Sequence, residues 1–173
     1  MGVVLVHGNP ETAAVWSPFV AALGRDDVVC LSPPGFGASI PDRWGATVEE
    51  YREWLIGELE VLGRPVDLVG HDCGGAHAVP VAMTRPDLLR SWATDAIGVF
   101  DRDDVWHDLA QRGQTPGAGE EAVAMMAVAA PPQRADQLTS RGLPSEVAEQ
   151  LATAYNDTMV DASWPCTARR HSR

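Results

Sequence analysis

Apolar positions along the chain follow two rhythms. Three short, nearly unbroken runs, Val3-Val4-Leu5-Val6, Val28-Val29-Cys30-Leu31 and Val66-Asp67-Leu68-Val69, have the length and β-branched content of buried strands. A fourth strand is expected over Trp92 to Val99. Between the runs the spacing lengthens to helical. Val15 to Leu23 predicts a helix with Gly24 as its stop. Thr47-Val48-Glu49-Glu50 has the T-x-x-E form of a capping box. It opens a helix that brings Tyr51, Trp54, Leu55 and Leu62 near one face and ends around Gly63. The third strand runs straight into Gly-His-Asp-Cys-Gly-Gly and a helix to about Arg85. Strands alternating with helices in this way predict a parallel sheet and an α/β architecture.

After Phe100 the pattern becomes helical alone: Asp103 to Arg112, Glu120 to Ala130 and Ser145 to Val160, separated by Gly113-Gln114-Thr115-Pro116-Gly117 and by Pro131-Pro132. A helical block after a parallel sheet, without strands of its own, reads as a lid. The expected division is a core over residues 1–100, a lid over 101–162 and an anomalous tail over 163–173. One local conflict stands out. Pro80 falls about seven residues into the helix after Asp72, where it removes a hydrogen bond and crowds the preceding turn.

Composition narrows the function classes. With 173 residues, 45% of them apolar, one domain can bury a real core. A net charge of −11 repels nucleic acid and anionic membrane surfaces. No apolar run approaches membrane-spanning length, and no secretory signal is visible. Cys30, Cys73 and Cys166 are an odd number without zinc-like spacing. A reducing cytoplasm is the expectation, and nothing in the composition calls for a metal or cofactor. All 13 basic residues are Arg, a bias of GC-rich coding sequence.

The chemistry concentrates at Leu68-Val69-Gly70-His71-Asp72-Cys73-Gly74-Gly75. Its form is small-x-nucleophile-x-small-small. A strand turning directly into a helix forces its central residue into a strained conformation with the side chain above the sheet. Small residues are needed on either side because the two backbones nearly touch. At a helix N-terminus the dipole favours negative charge, so Asp72 is expected to be an ionised nucleophile that needs no activating base. A glycine-rich turn with Asp72 as a helix cap is the simpler reading. A dinucleotide fingerprint is not matched.

Two further blocks weigh against the simpler reading. HGNPETAAVW follows the first strand and SPPGFGAS follows the second. With LVGHDCGG they form an ordered trio that resembles the α/β-hydrolase superfamily, in the branch of haloalkane dehalogenases and epoxide hydrolases, which use Asp rather than Ser. The likeness covers roughly residues 3 to 160. The resemblance implies attack by Asp72 on an electrophilic carbon, a covalent ester, and hydrolysis by water activated by a His that an acid orients. It also implies that the backbone N–H groups of Asn9 and Cys73, with the Asn9 amide, receive developing negative charge. As a residue before Pro10, Asn9 also suits a plain turn.

Departures bear on the substrate. Dehalogenases of this type carry Trp after the nucleophile as a halide donor; here that residue is Cys73, a poor donor. Epoxide hydrolases use lid tyrosines, but the expected lid holds Tyr155 alone, with pocket lining and packing both open to it. Asp101 is the candidate orienting acid, with Asp103 and Asp104 as rivals and helix capping as their alternative. Trp106 either lines the pocket or packs the lid. None of the five histidines (His7, His71, His77, His107, His171) matches the family's catalytic His, which belongs beyond two further strands. Ser163-Trp164-Pro165-Cys166-Thr167-Ala168-Arg169-Arg170 breaks the helical pattern. Back-translated and read one base earlier, it permits V-L-A-L-Y-R-S-A, a continuation of the lid helix. The expectation is therefore a truncated, inactive enzyme with an out-of-frame tail, a non-catalytic binding fragment being the alternative.

Overall fold

The computed structural model describes residues 2–95, 111, 115–160 and 162. Four parallel strands form one sheet in the order β2-β1-β3-β4: β1 Val3–Val6, β2 Val28–Leu31, β3 Val66–His71 and β4 Leu89–Asp95. β1 is central and every residue in it is buried, which explains why it has no polar alternation. Burial on β3 alternates, with Val66, Leu68 and Gly70 inward and Asp67, Val69 and His71 on the half-buried face.

Helices α1 (Ser17–Leu23), α2 (Val48–Val61) and α3 (Cys73–Thr84) connect the strands. A 3-10 turn over Ala13–Trp16 precedes α1, and Gly24 ends that helix at φ 62°. The capping box of α2 forms as expected. Thr47 Oγ1 accepts from the Glu50 N–H at 3.1 Å, and Glu50 Oε2 accepts from the Thr47 N–H at 2.9 Å. Leu55 and Leu59 of α2 meet Ala78 and Val81 of α3 over Val4, Val6, Val66 and Leu68 of the sheet. Leu59, absent from the expected face, is fully packed, whereas Trp54 and Leu62 sit at its rim.

Three elements differ from the sequence reading, one of them the helix read over Ser145 to Val160, which ends at Ala154 where Tyr155 turns extended. The fourth strand starts at Leu89, three residues before Trp92, because a 3-10 turn over Pro86–Leu88 returns the chain to the sheet early. Pro131-Pro132 opens a helix instead of separating two: α5 spans Pro131–Ser140, between α4 (Ala118–Val128) and α6 (Ser145–Ala154). Proline suits a first helical turn, whose N–H groups have no intrahelical partner. Gln133 Oε1 also accepts the Ala130 N–H at 3.1 Å. Helix α3 runs on through Pro80.

Arg134 fastens the helical block. It is buried, yet its guanidinium donates to three carbonyls: Ala152 at 3.1 Å, Met126 at 3.1 Å and Ala129 at 2.7 Å. The last two end α4, so Arg134 acts as a cap supplied from the next helix. Its plane also lies 5.2 Å from the centre of the Tyr155 ring. Arg134→Met leaves these carbonyls without their donor and is expected to cost about 1–3 kcal/mol, read as a lower urea midpoint. An unchanged midpoint would show that the cap contributes nothing.

Candidate active site

All three sequence blocks meet at the C-terminal ends of β1, β2 and β3. His7 is fully buried. Its Nδ1 lies 2.8 Å from the Gly8 carbonyl and its Nε2 lies 3.1 Å from Ser32 Oγ, which also accepts from the Ala13 N–H at 3.1 Å. A carbonyl can only accept, so Nδ1 carries the proton and Nε2 accepts from Ser32. Burial lowers the His7 pKa, in keeping with a neutral ring. This histidine ties the HGNP block to the SPPGFGAS block. Tyr51 extends the tie by donating to the Pro34 carbonyl at 3.2 Å.

Asp72 stands at the junction of β3 and α3 with φ 50° and ψ −120°. That left-handed backbone on a non-glycine residue is the strain expected of a strand-to-helix elbow. The close approaches that hold it are measurable. A Cβ on Gly74 would lie 2.2 Å from the Val6 carbonyl oxygen, and one on Gly70 would lie 2.5 Å from the Gly74 carbonyl oxygen. Across the pocket, a Cβ on Gly8 would lie 2.6 Å from Asp72 Oδ2. Gly8 thus leaves room for the carboxylate, which accepts the Asn9 N–H at 3.2 Å.

Both polar atoms of the Asn9 side chain are buried and have no protein partner among the described residues. Buried amides are nearly always hydrogen-bonded, so this one has capacity for a ligand. Cys73 opens α3 directly after Asp72. Tyr155 is 8% exposed and packs against Phe36, Tyr51, Met159 and Ala162. Asp101, Asp103, Asp104, Trp106, His107, His171 and the tail over 163–173 lie outside the described residues.

Two acids that the sequence reading passed over join the site. Glu11 Oε2 accepts the Gly8 N–H at 3.1 Å. Burial raises its pKa, with Asp72 and Asp95 adding repulsion and His71 opposing. Asp95 Oδ1 lies 2.8 Å from His71 Nδ1. For His71, burial works against the charged form, but the hydrogen bond and charge of Asp95, with Glu11 and Asp72, outweigh it and raise the pKa. Among the described residues, no three His, Cys, Asp or Glu side chains converge to hold a metal ion.

The profile of the alpha/beta hydrolase family matches residues 3–173. The chain belongs to that family. Over 101 residues it is 33% identical to an (E)-2-((N-methylformamido)methylene)succinate hydrolase of Acinetobacter baylyi, covering 57% of this chain and 38% of that one. The crystal structure of an E-2-(acetamidomethylene)succinate hydrolase superposes with a TM-score of 0.70 at 20% identity, over 96% of this chain and 65% of that one. A haloalkane dehalogenase from Agrobacterium tumefaciens superposes at 0.69 and 22% identity, over 96% of this chain and 59% of that one. The chain therefore spans less than two thirds of the length of these hydrolases. Within the family fold, the strand-to-helix turn after β3 carries Asp72 and the loop after β1 carries Gly8 and Asn9. No helix among the described residues is long and apolar enough to cross a membrane.

Beneath the elbow, His77 stacks on Tyr51, with ring centres 4.4 Å apart and planes at 16°. Burial, with a smaller contribution from the nearby His7, lowers its pKa to about 4. The unfolded chain takes this proton near pH 6.5, while the folded chain resists until about pH 4. Stability is therefore whole above pH 6.5 and declines as pH falls from there to about 4, by on the order of 3 kcal/mol from His77. Urea unfolding at pH 7 and pH 4.5 measures the loss. His77→Phe keeps the stacking and is expected to flatten the slope; an equal slope in the variant would place the acid lability elsewhere.

Proposed function

We propose that this chain carries the nucleophilic half of an Asp-type hydrolase cycle. The Asp72 carboxylate attacks an electrophilic carbon of a small, mostly apolar substrate: an epoxide, a halide or an activated ester. A carbon–oxygen bond to Asp72 forms as the bond to the leaving group breaks, giving a covalent ester. The observation that carries this reading is the strained Asp72 backbone, with the carboxylate 3.2 Å from the Asn9 N–H. The unpartnered Asn9 amide is the second donor toward the leaving group or oxyanion, with the Cys73 N–H as the third. Tyr155 and Trp106 are proposed pocket residues. The lid function of residues 101–162 and the out-of-frame origin of 163–173 belong to the same proposal.

The succinate substrates in the names of two relatives are not carried over. Glu11, Asp72 and Asp95 gather negative charge at this site, which opposes a dicarboxylate.

Turnover needs a base for the second step. His7 and His77 are held in the packing below the elbow, and His71 is paired with Asp95. None of these three, the histidines among the described residues, is placed as that base, and the 173-residue polypeptide is proposed to stop at the ester. Asp95, opposite His71 in the β3–β4 register, is a second candidate, beside Asp101, to orient a catalytic His. A non-catalytic binding fragment is the second reading, favoured because no histidine among the described residues is placed as the base.

Intact-mass spectrometry after incubation with a small epoxide or alkyl halide tests the proposal. One added mass, mapped to Asp72 and removed by mild alkali, is the expected result; alkylated Cys73 would survive the alkali. Repeated turnover would refute the stalled ester, and no label on Asp72 would leave the binding fragment.

A further inference from the structure

A leaving oxygen needs a proton, and among the described residues the two positions to which the resemblance points for a donor are poorly suited. Cys73 stands in the place of a Trp donor, and Tyr155 is packed among Phe36, Tyr51 and Met159 under the Arg134 guanidinium. Next to the nucleophile, however, sits His71, an imidazole that the sequence reading placed in the elbow motif without giving it a role in the chemistry.

His71 and Asp95 are register partners at the ends of neighbouring strands β3 and β4, so their side chains share a face. Asp95 takes Nδ1 at 2.8 Å. The Trp16 ring meets the imidazole edge-on, with centres 6.3 Å apart and planes at 82°. Nε2 has no hydrogen-bond partner among the described residues, and the side chain is 38% exposed. Glu11, whose carboxylate accepts the Gly8 N–H, lies near enough to His71 for the two charges to act on each other. The groups that act on the imidazole are thus Asp95, Glu11 and Asp72, while the charge of His71 in turn helps to lower the His7 pKa.

We propose that His71 is the general acid for the leaving oxygen, donating its Nε2 proton while Asp95 holds Nδ1. The proposal rests on the reading of Asp72 as nucleophile and assigns an oxygen leaving group, as in an epoxide, to this site. In the step, an Asp72 oxygen bonds to the ring carbon, the ring carbon–oxygen bond breaks, and the freed oxygen takes the Nε2 proton. His71 becomes neutral, Asp95 keeps its hydrogen bond to Nδ1–H, and solvent restores the proton. The surrounding carboxylates favour the charged ring, so the proton stays on the donor to a higher pH than on a free imidazole. Glu11 and Asp72 supply this bias without taking part in the transfer.

An epoxide and an alkyl halide separate the proposal from the reading beneath it, since a departing halide needs no proton. Label the 173-residue chain with each and follow the Asp72 ester by peptide mapping. The epoxide-to-halide rate ratio is expected to fall roughly 100-fold in His71→Gln, within the usual range for a lost general acid. In the unaltered chain the epoxide rate should decline as pH rises through the His71 titration. Asp95→Asn should move that decline to lower pH, and Asp95→Glu should restore it. An unchanged ratio in His71→Gln, or a decline that stays put in Asp95→Asn, overturns the proposal. So does an unaltered chain that accepts the halide but never the epoxide. Absence of any Asp72 label removes the nucleophile reading, and this one with it.

Discussion

Asp72→Asn is expected to lose the covalent adduct while keeping the fold. An amide oxygen carries no formal charge and its lone pair is delocalised, so the rate of ester formation should drop on the order of 10³-fold or more. The fold survives for two reasons. Asn is among the few residues that tolerate a left-handed backbone, and Asp72 sits at φ 50°. Its side-chain oxygen can also still accept the Asn9 N–H, which reaches Asp72 Oδ2 at 3.2 Å. Time-resolved mass spectrometry gives the rate, and circular dichroism in urea gives the stability. Labelling of the Asn variant at the original rate would move the nucleophile to another carboxylate, with Glu11 the first to examine.

Gly74→Ala is expected to have the largest effect on stability. The added methyl would lie 2.2 Å from the Val6 carbonyl oxygen, 2.6 Å from its carbon and 2.7 Å from the His7 carbonyl oxygen. All three are backbone atoms at the end of β1, a strand paired on both sides, to β2 and to β3. No flexible side chain can give way. Relief requires α3 to move off the sheet, which opens the elbow and the cluster joining Ala78 and Val81 to Val4 and Val6. The cost is about 3 kcal/mol or more, the upper end for overpacking. Gly57→Ala provides the control. Gly57 lies within α2, where an added Cβ meets nothing within 4 Å, and the same substitution there should stabilise by about 0.5–1 kcal/mol. Equal urea midpoints for the two variants would show that the elbow yields more readily than the distances allow.

Much of this molecule was legible from local pattern. β1 and β2 came out at the residues read for them, and the α2 cap formed as T-x-x-E requires. The elbow was legible because its chemistry is compressed into eight consecutive residues, with small side chains where two backbones touch. The α5 helix was not, because Pro131-Pro132 breaks a helix from within but starts one from outside. Local sequence does not say which side of the boundary a proline occupies.

Sequence alone thus determined the order of strands and helices, the family and the placement of a carboxylate on the elbow, since each is written in residues close along the chain. Tertiary structure alone decided which groups face that carboxylate. Parallel pairing of β4 with β3 sets His71 opposite Asp95, whereas the strand read over Trp92 to Val99 directed attention to Asp101. Strand register is a pairing between segments 24 residues apart, set by how the intervening helix and turn pack, and no periodicity within either strand encodes it.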